Sequence, residues 1–347
     1  MALMKLICAF LVVVIHAKFS TPGYFAWAQY NIVSEGLCRI AVPFFFFASG
    51  YYLAKHMGEE NWFTTALASR AKSIVLPAFV MILLFIVLVY GYRLLFVGEN
   101  WVATMTWKIF AKDLGLDLRV PPLLVPMWYA RALFIIVLFS PVLYSMIGKQ
   151  QRPNATLSLI GIAILCFALR PFSDWAHNDW YMFFNYGISL EGILYFSAGI
   201  YLRKYPFSQL SKHRAYIFLA SGLGLFAIKA LLLYYGYPVL AFRIGFVAIP
   251  TTLLGGYFSL PDIKVPKFLE TVSFPVYMLH VMILSALGSR PVRDGGVFVA
   301  TNSLTLYFFH ILVGFLGSIL VAWILFRFTP KLAEILFGGR MITKEKN

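Results

Sequence analysis

The chain has 347 residues, of which 61% are apolar, 18% aromatic and only 12% charged, against about 25% charged in soluble domains. That balance excludes a water-soluble globule and points to an all-α, polytopic membrane protein. The formal charge of +15 raises nucleic acid as a partner, but the basic residues are scattered among apolar runs and form no stripe, so none is expected.

A bilayer core takes about 20 apolar residues per helix, and ten stretches near that size follow one another: 2–19, 36–55, 74–97, 124–147, 154–172, 182–201, 215–235, 238–260, 270–289 and 300–327. Residues 1–330 therefore read as one transmembrane domain and 331–347 as a short basic tail. The first stretch has Lys5 ahead of an apolar core, as a secretory leader would. No small-x-small cleavage site follows Lys18, Phe19, Ser20, Thr21 and Pro22, so it is kept as a helix. Alternate loops hold Lys55, Arg70, Lys72, Lys149, Arg152, Arg203, Lys204, Lys212 and Arg214, and the positive-inside rule puts that side, with both termini, in the cytoplasm. Trp27, Trp101, Trp107, Asp174, Trp175, Asp179 and Trp180 fall where an outer interfacial belt belongs, with 101–112 as a short interfacial helix. Cys8, Cys38 and Cys166 lie in apolar runs without disulfide or metal spacing and read as packing residues.

Ionisable side chains at membrane depth cost several kcal/mol unless paired or hydrated, which singles out His16, Arg39, Arg131, Glu191, Lys229, Arg243, His280 and His310. Lys5 and His16 are eleven residues apart, so one helix face carries both, about 16 Å apart along the axis. A cation at the mouth can hold the phosphates of an extended donor while a deep imidazole acts as base at its reactive end. A histidine bonded to a neighbouring helix carbonyl fits the same spacing. Arg39 opens a run with Pro43, Phe44 to Phe47, Ala48, Ser49, Gly50 and Tyr51. Ser49 and Gly50 are small enough for a backbone or a substrate to approach, and a packed, kinked helix uses the same residues. Arg70 and Lys72, ahead of Pro77, serve topology or hold phosphates. Trp128 and Tyr129 precede Arg131, whose pairing with Glu191 across helices competes with a catalytic role for that carboxylate. His280 closes the run Phe274 to Leu279; Lys229, Arg243 and His310 have no motif context.

In that order these pieces resemble the acyltransferase type 3 family: Lys5 with His16; Pro43, the aromatic run and Ser49, Gly50; Arg70, Lys72 and Pro77; Met127, Trp128 and Tyr129; Tyr195, Phe196 and Gly199; and Tyr277 with His280. The resemblance implies an integral membrane enzyme that moves an acyl group, usually acetyl, from coenzyme A to extracytoplasmic glycans and related acceptors. It implies His16 as general base, with Arg39 and Ser49 stabilising charge at the acyl carbonyl. Lys5, Arg70 and Lys72 would bind the donor phosphates, and Tyr51, Trp128, Glu191 and His280 the substrate side. Acetyl-CoA or another acyl-CoA is then a co-substrate, with no tightly bound cofactor and no metal. The expected partners are a glycan or lipid-linked envelope acceptor and membrane lipids, in a bacterial inner membrane, with a homo-oligomer left open. The family usually has arginine where this chain has Lys5, which keeps the charge and loses the bidentate fork. A transporter or channel whose buried charges line a path, and a subunit that only presents a lipid-linked substrate, are the rival readings.

Overall fold

The computed structural model describes residues 1–19, 23–96, 106–175, 183–206, 211–260, 265–287, 299–301 and 303–339. Its main helices are α1 Ala2–His16, α2 Ala41–Leu53, α3 Leu76–Phe96, α4 Trp128–Leu138, α5 Arg152–Trp175, α6 Leu190–Lys204, α7 Lys212–Tyr234, α8 Pro238–Ser259, α9 Lys267–Leu287, α10 Leu304–Phe328 and α11 Pro330–Phe337. Each apolar stretch of the sequence holds one of the first ten. Among the described residues six helical runs are long and apolar enough to cross a membrane, or seven if one bent pair counts as a span. The protein is thus a multi-pass helical membrane protein, but ten full spans are not what length and composition give.

The difference has local causes. α1 has 15 residues, about 22 Å of rise, and then turns extended: Ala17–Phe19 (β1) pairs in parallel with Val299–Thr301 (β2). The 124–147 stretch bends by 57° beside Phe139, where Pro141 enters the first turn of the next helix and cannot donate to the preceding one. The 182–201 stretch breaks at Ser189, which holds a left-handed φ of 54° and caps α6 by accepting from the Gly192 amide at 3.1 Å. In α9 the apolar part is only Thr271–Leu287. The run Tyr24–Leu53 counts as one span yet passes through a π-helical turn at Gln29–Ser34 and a 3-10 turn at Leu37–Ile40 before α2 begins.

Large apolar side chains cover the outside, as Leu312, Leu316, Leu320 and Trp323 do along one face of α10. In water such a face would be an aggregation site; in hydrocarbon it is the solvent-matched surface. Inside, Cys8, Val13, Phe46, Leu133, Ile136 and Met278 are fully buried, and α1 packs against both α2 and α9. α2 and α6 run side by side in the same direction, with Arg39 near Glu191 at one end and Tyr51 against Arg203 at the other. Between those ends they touch backbone to backbone. A Cβ added at Gly50 would stand 2.8 Å from the Phe196 carbonyl carbon, and one at Gly199 2.7 Å from the Tyr51 nitrogen, so small residues are what let the helices meet. α11 is amphipathic and buries Ala333, Leu336 and Phe337. Trp107–Asp113 is a short helix capped by Thr106, and residues 101–105 of the 101–112 helix expected there lie outside the described residues. Trp101 and the side chains of Asp174, Trp175, Asp179 and Trp180 lie outside the described residues.

Candidate active site

Lys5 leaves the first turns of α1 and lines a cavity of about 410 Å³ with Ser49, Tyr52, Arg70, Tyr129, Thr271, Ser273 and Tyr277. Its ammonium lies 4.6 Å from the centroid of the Tyr52 ring, a cation–π contact that fixes the flexible stem. Arg70 arrives from the last turn of the helix Trp62–Arg70. No carboxylate is among the described lining residues, so two cations and a set of hydroxyls give this chamber the chemistry of an anion site. The Ser49 hydroxyl donates to the Phe45 carbonyl of its own helix at 2.8 Å, and its proton is committed there.

His16 is the last residue of α1 and packs on His280, with ring centroids 5.1 Å apart and planes tilted by 50°. His280 is completely buried. Its Nδ1 stands 2.8 Å from the Val276 carbonyl. A carbonyl only accepts, so Nδ1 carries the proton and Nε2 is left as an acceptor. That nitrogen is buried without a hydrogen-bond partner among the described residues. One turn earlier on α9, Tyr277 reaches the chamber wall and donates to the Pro126 carbonyl at 2.6 Å. The imidazole pair therefore stands about one turn beyond the chamber, on the side away from Lys5.

At the other end of α2 a pocket of about 110 Å³ is lined by Tyr30, Glu35, Arg39, Trp128, Asn185, Tyr186 and Glu191, among others. Arg39 pairs with Glu35 at 3.9 Å and Glu191 at 3.8 Å, and Trp128 meets Tyr186 edge to face at 5.2 Å. Aromatic rings beside carboxylates, an amide and a guanidinium form a surface suited to a polyol. Phe45 and Tyr129 face the large chamber while Phe46 and Trp128 face this pocket. The four form one layer, with centroids 4.7 Å apart for Phe46 and Tyr129 and 6.2 Å for Phe45 and Tyr129. Two cations hold the pocket's irregular backbone. Lys229 donates from α7 to the Glu35 carbonyl. Arg131 donates to Gly115 and Asp117 at 2.6 and 2.8 Å and to Val120 and Tyr186 at 3.0 and 3.2 Å.

The sequence pattern of the family described as acyltransferase domain matches residues 1–327. The chain belongs to that family. Among curated proteins it is similar to the succinoglycan biosynthesis protein ExoH of Rhizobium meliloti (strain 1021), 27% identical over 183 residues, which is 52% of this chain and 44% of that protein. The match thus spans less than half the length of that relative. No solved structure matches.

Of the residues singled out in this acyltransferase-family chain, the fold brings Lys5, Ser49 and Arg70 into one chamber and sets His280 against His16. Arg39, Trp128 and Glu191 share the second pocket. Three expectations are corrected. Arg39 and Ser49 do not converge on one carbonyl. Arg39 is ten residues, about 15 Å, from Ser49 along the chain axis, and Tyr51, two residues on, points about 200° round the helix into a separate groove. Glu191 pairs with Arg39, not Arg131, because Arg131 faces loop carbonyls that have no helix to satisfy them. Lys72 is exposed and off the chamber wall. Tyr52 was missed, although Phe45, Ala48, Ser49 and Tyr52 follow the i, i+3, i+4, i+7 spacing of a single face, and Tyr129 is part of the resemblance but carries no expected role in the site. Lys229 stands out in sequence only by its depth in an apolar stretch, and its partner, the Glu35 backbone carbonyl, leaves no sequence pattern.

Proposed function

We propose that the chain is a membrane-bound O-acyltransferase moving an acyl group, acetyl in the first instance, from cytoplasmic acyl-CoA to a hydroxyl of a cell-surface glycan or lipid-linked envelope acceptor. The observation that carries this is the pair of unlike chambers at the two ends of α2, divided by one aromatic layer with the His16 and His280 pair close to it. Lys5 and Arg70 suit the donor phosphates, and Arg39, Glu191 and Trp128 suit a sugar. The name of the curated relative, a succinoglycan biosynthesis protein, supports a glycan as acceptor. Counting the shortened and bent stretches as crossings gives an even number, with both termini and the basic loops on the cytoplasmic side of a bacterial inner membrane. Residues 1–330 then act as one transmembrane domain, with no resident cofactor.

In this scheme His16 takes the proton as the acceptor oxygen attacks the thioester carbonyl. The C–O bond forms, the C–S bond breaks, and the proton passes from the imidazolium to the departing thiolate of coenzyme A. With Arg39 and Ser49 apart, the carbonyl's developing charge falls to the cations and hydroxyls of the donor chamber. The test is labelled acetyl-CoA with a cell-envelope extract and purified protein in nanodiscs. His16→Ala is expected to slow transfer by about 10²–10⁴ with acyl-CoA binding retained. Folded wild-type protein that neither binds nor consumes acyl-CoA would end this proposal in favour of transport.

A further inference from the structure

On the face of α2 turned away from Ser49, between α5, α6 and α8, lies a groove of about 300 Å³ walled by Phe44, Phe47, Leu159, Ala198, Pro250 and Leu253. The polar side chains in its wall are those of tyrosines, and no Asp, Glu, Lys or Arg is among its described lining residues. Arg203 stands at one end. Its guanidinium lies over the Tyr51 ring, 5.2 Å from the centroid, and Nη1 donates to the Tyr51 hydroxyl at 3.4 Å. Arg203 is exposed, and among the described residues no carboxylate pairs with it. Arg203 and Lys5 rest on neighbouring residues of α2, Tyr51 and Tyr52, so the charged end of the groove is the basic end of the bundle.

We infer that this groove holds one alkyl chain of an anionic phospholipid, with its phosphate on Arg203. An apolar channel inside a membrane protein excludes water and takes hydrocarbon. From Phe44 to Tyr51 the groove follows α2 for about 10 Å, enough for a length of acyl chain. A guanidinium with free donors on a tyrosine platform matches a phosphate diester through paired hydrogen bonds. The basic end of a membrane protein faces the leaflet that carries anionic lipid. A zwitterionic headgroup brings its own cation to the same place and is the poorer occupant. The site is independent of the acyl-transfer reading, because none of its residues belongs to either chamber proposed for substrates.

The test is native mass spectrometry of delipidated full-length protein with phosphatidylglycerol and phosphatidylcholine of identical chains. Wild type is expected to retain phosphatidylglycerol about fivefold better. Arg203→Gln removes that preference, Ala198→Trp lowers retention of both lipids, and Leu320→Trp on the outward face of α10 behaves as wild type. A phosphatidylglycerol with a photoactivatable chain, applied to wild type, is expected to label the peptides around Tyr195, Ala198 and Leu253, which needs no variant to fold. Equal retention of the two headgroups by wild type, labelling spread evenly over the outer helices, or complete displacement of phosphatidylglycerol by a polyprenyl phosphate would each overturn the assignment.

Discussion

Gly50→Ala probes the contact that sets the spacing of α2 and α6. The new methyl would stand 2.8 Å from the Phe196 carbonyl carbon and 3.0 Å from its Cα, where ordinary contact begins at 3.4 Å. The obstacle is backbone, which cannot rotate aside, so the helices have to part by more than about 0.5 Å along their crossing and Gly199 loses its fit against Tyr51. Overpacking of this kind costs about 1–3 kcal/mol, and a backbone obstacle belongs at the upper end. For a chain this long that is a fall of about 5 °C in thermal midpoint, measured by size-exclusion survival after heating in detergent. Gly224→Ala is the control, since nothing lies within 4 Å of its Cβ position. There the gain in helix propensity leaves the midpoint unchanged or slightly raised. A Gly50→Ala protein as stable as wild type, or an equal loss in both variants, would refute the close-contact account.

Arg131→Lys replaces a planar fork bonded to four carbonyls with a point charge that cannot reach all of them. It is expected to cost about 2–4 kcal/mol, and amide exchange in 115–120 should quicken by the corresponding factor. Trp128→Ala should raise the acceptor KM about tenfold with the acyl-CoA KM unchanged, and Arg70→Gln should do the reverse; equal effects on both substrates would contradict two separate chambers. Asp117 accepts from the Arg119 backbone and guanidinium at 2.9–3.1 Å, which holds its carboxyl below the usual carboxylate range. The ordering it gives its loop is then full above the ordinary carboxylate pKa and lost as pH falls through the lowered value. Asp117→Asn should remove that pH dependence of exchange.

Much of the fold could be read from sequence because a membrane imposes its period on composition: ten apolar stretches, each helical. Their interruptions could not. Ser189 and Phe139 sit at breaks where hydropathy does not change, so a window average runs straight across them. The same limit governs the site. Lys5 and His16, and the Ser49 face of α2, follow from helical periodicity, and the fold keeps them. Which cation faces which partner depends on how helices cross, and there Arg131 took four carbonyls while Arg39 took Glu191. The interruptions at Leu37–Ile40 and Ser189 also fall next to a chamber. Irregular backbone at membrane depth is tolerated where it is enclosed by protein or lines a cavity, and Glu35, Ser189 and Arg39 do line one.

The aromatic layer of Phe45, Phe46, Trp128 and Tyr129 also has an electrical consequence. Two wetted chambers approaching each other through a bilayer make a conduit unless something closes it, and each elementary charge that leaks dissipates about 2.3 kcal/mol per 100 mV of membrane potential. The rings between the two chambers would thus insulate the cell as well, and under the proposed function any movement that lets an acyl group past them has to do so without opening a path for ions.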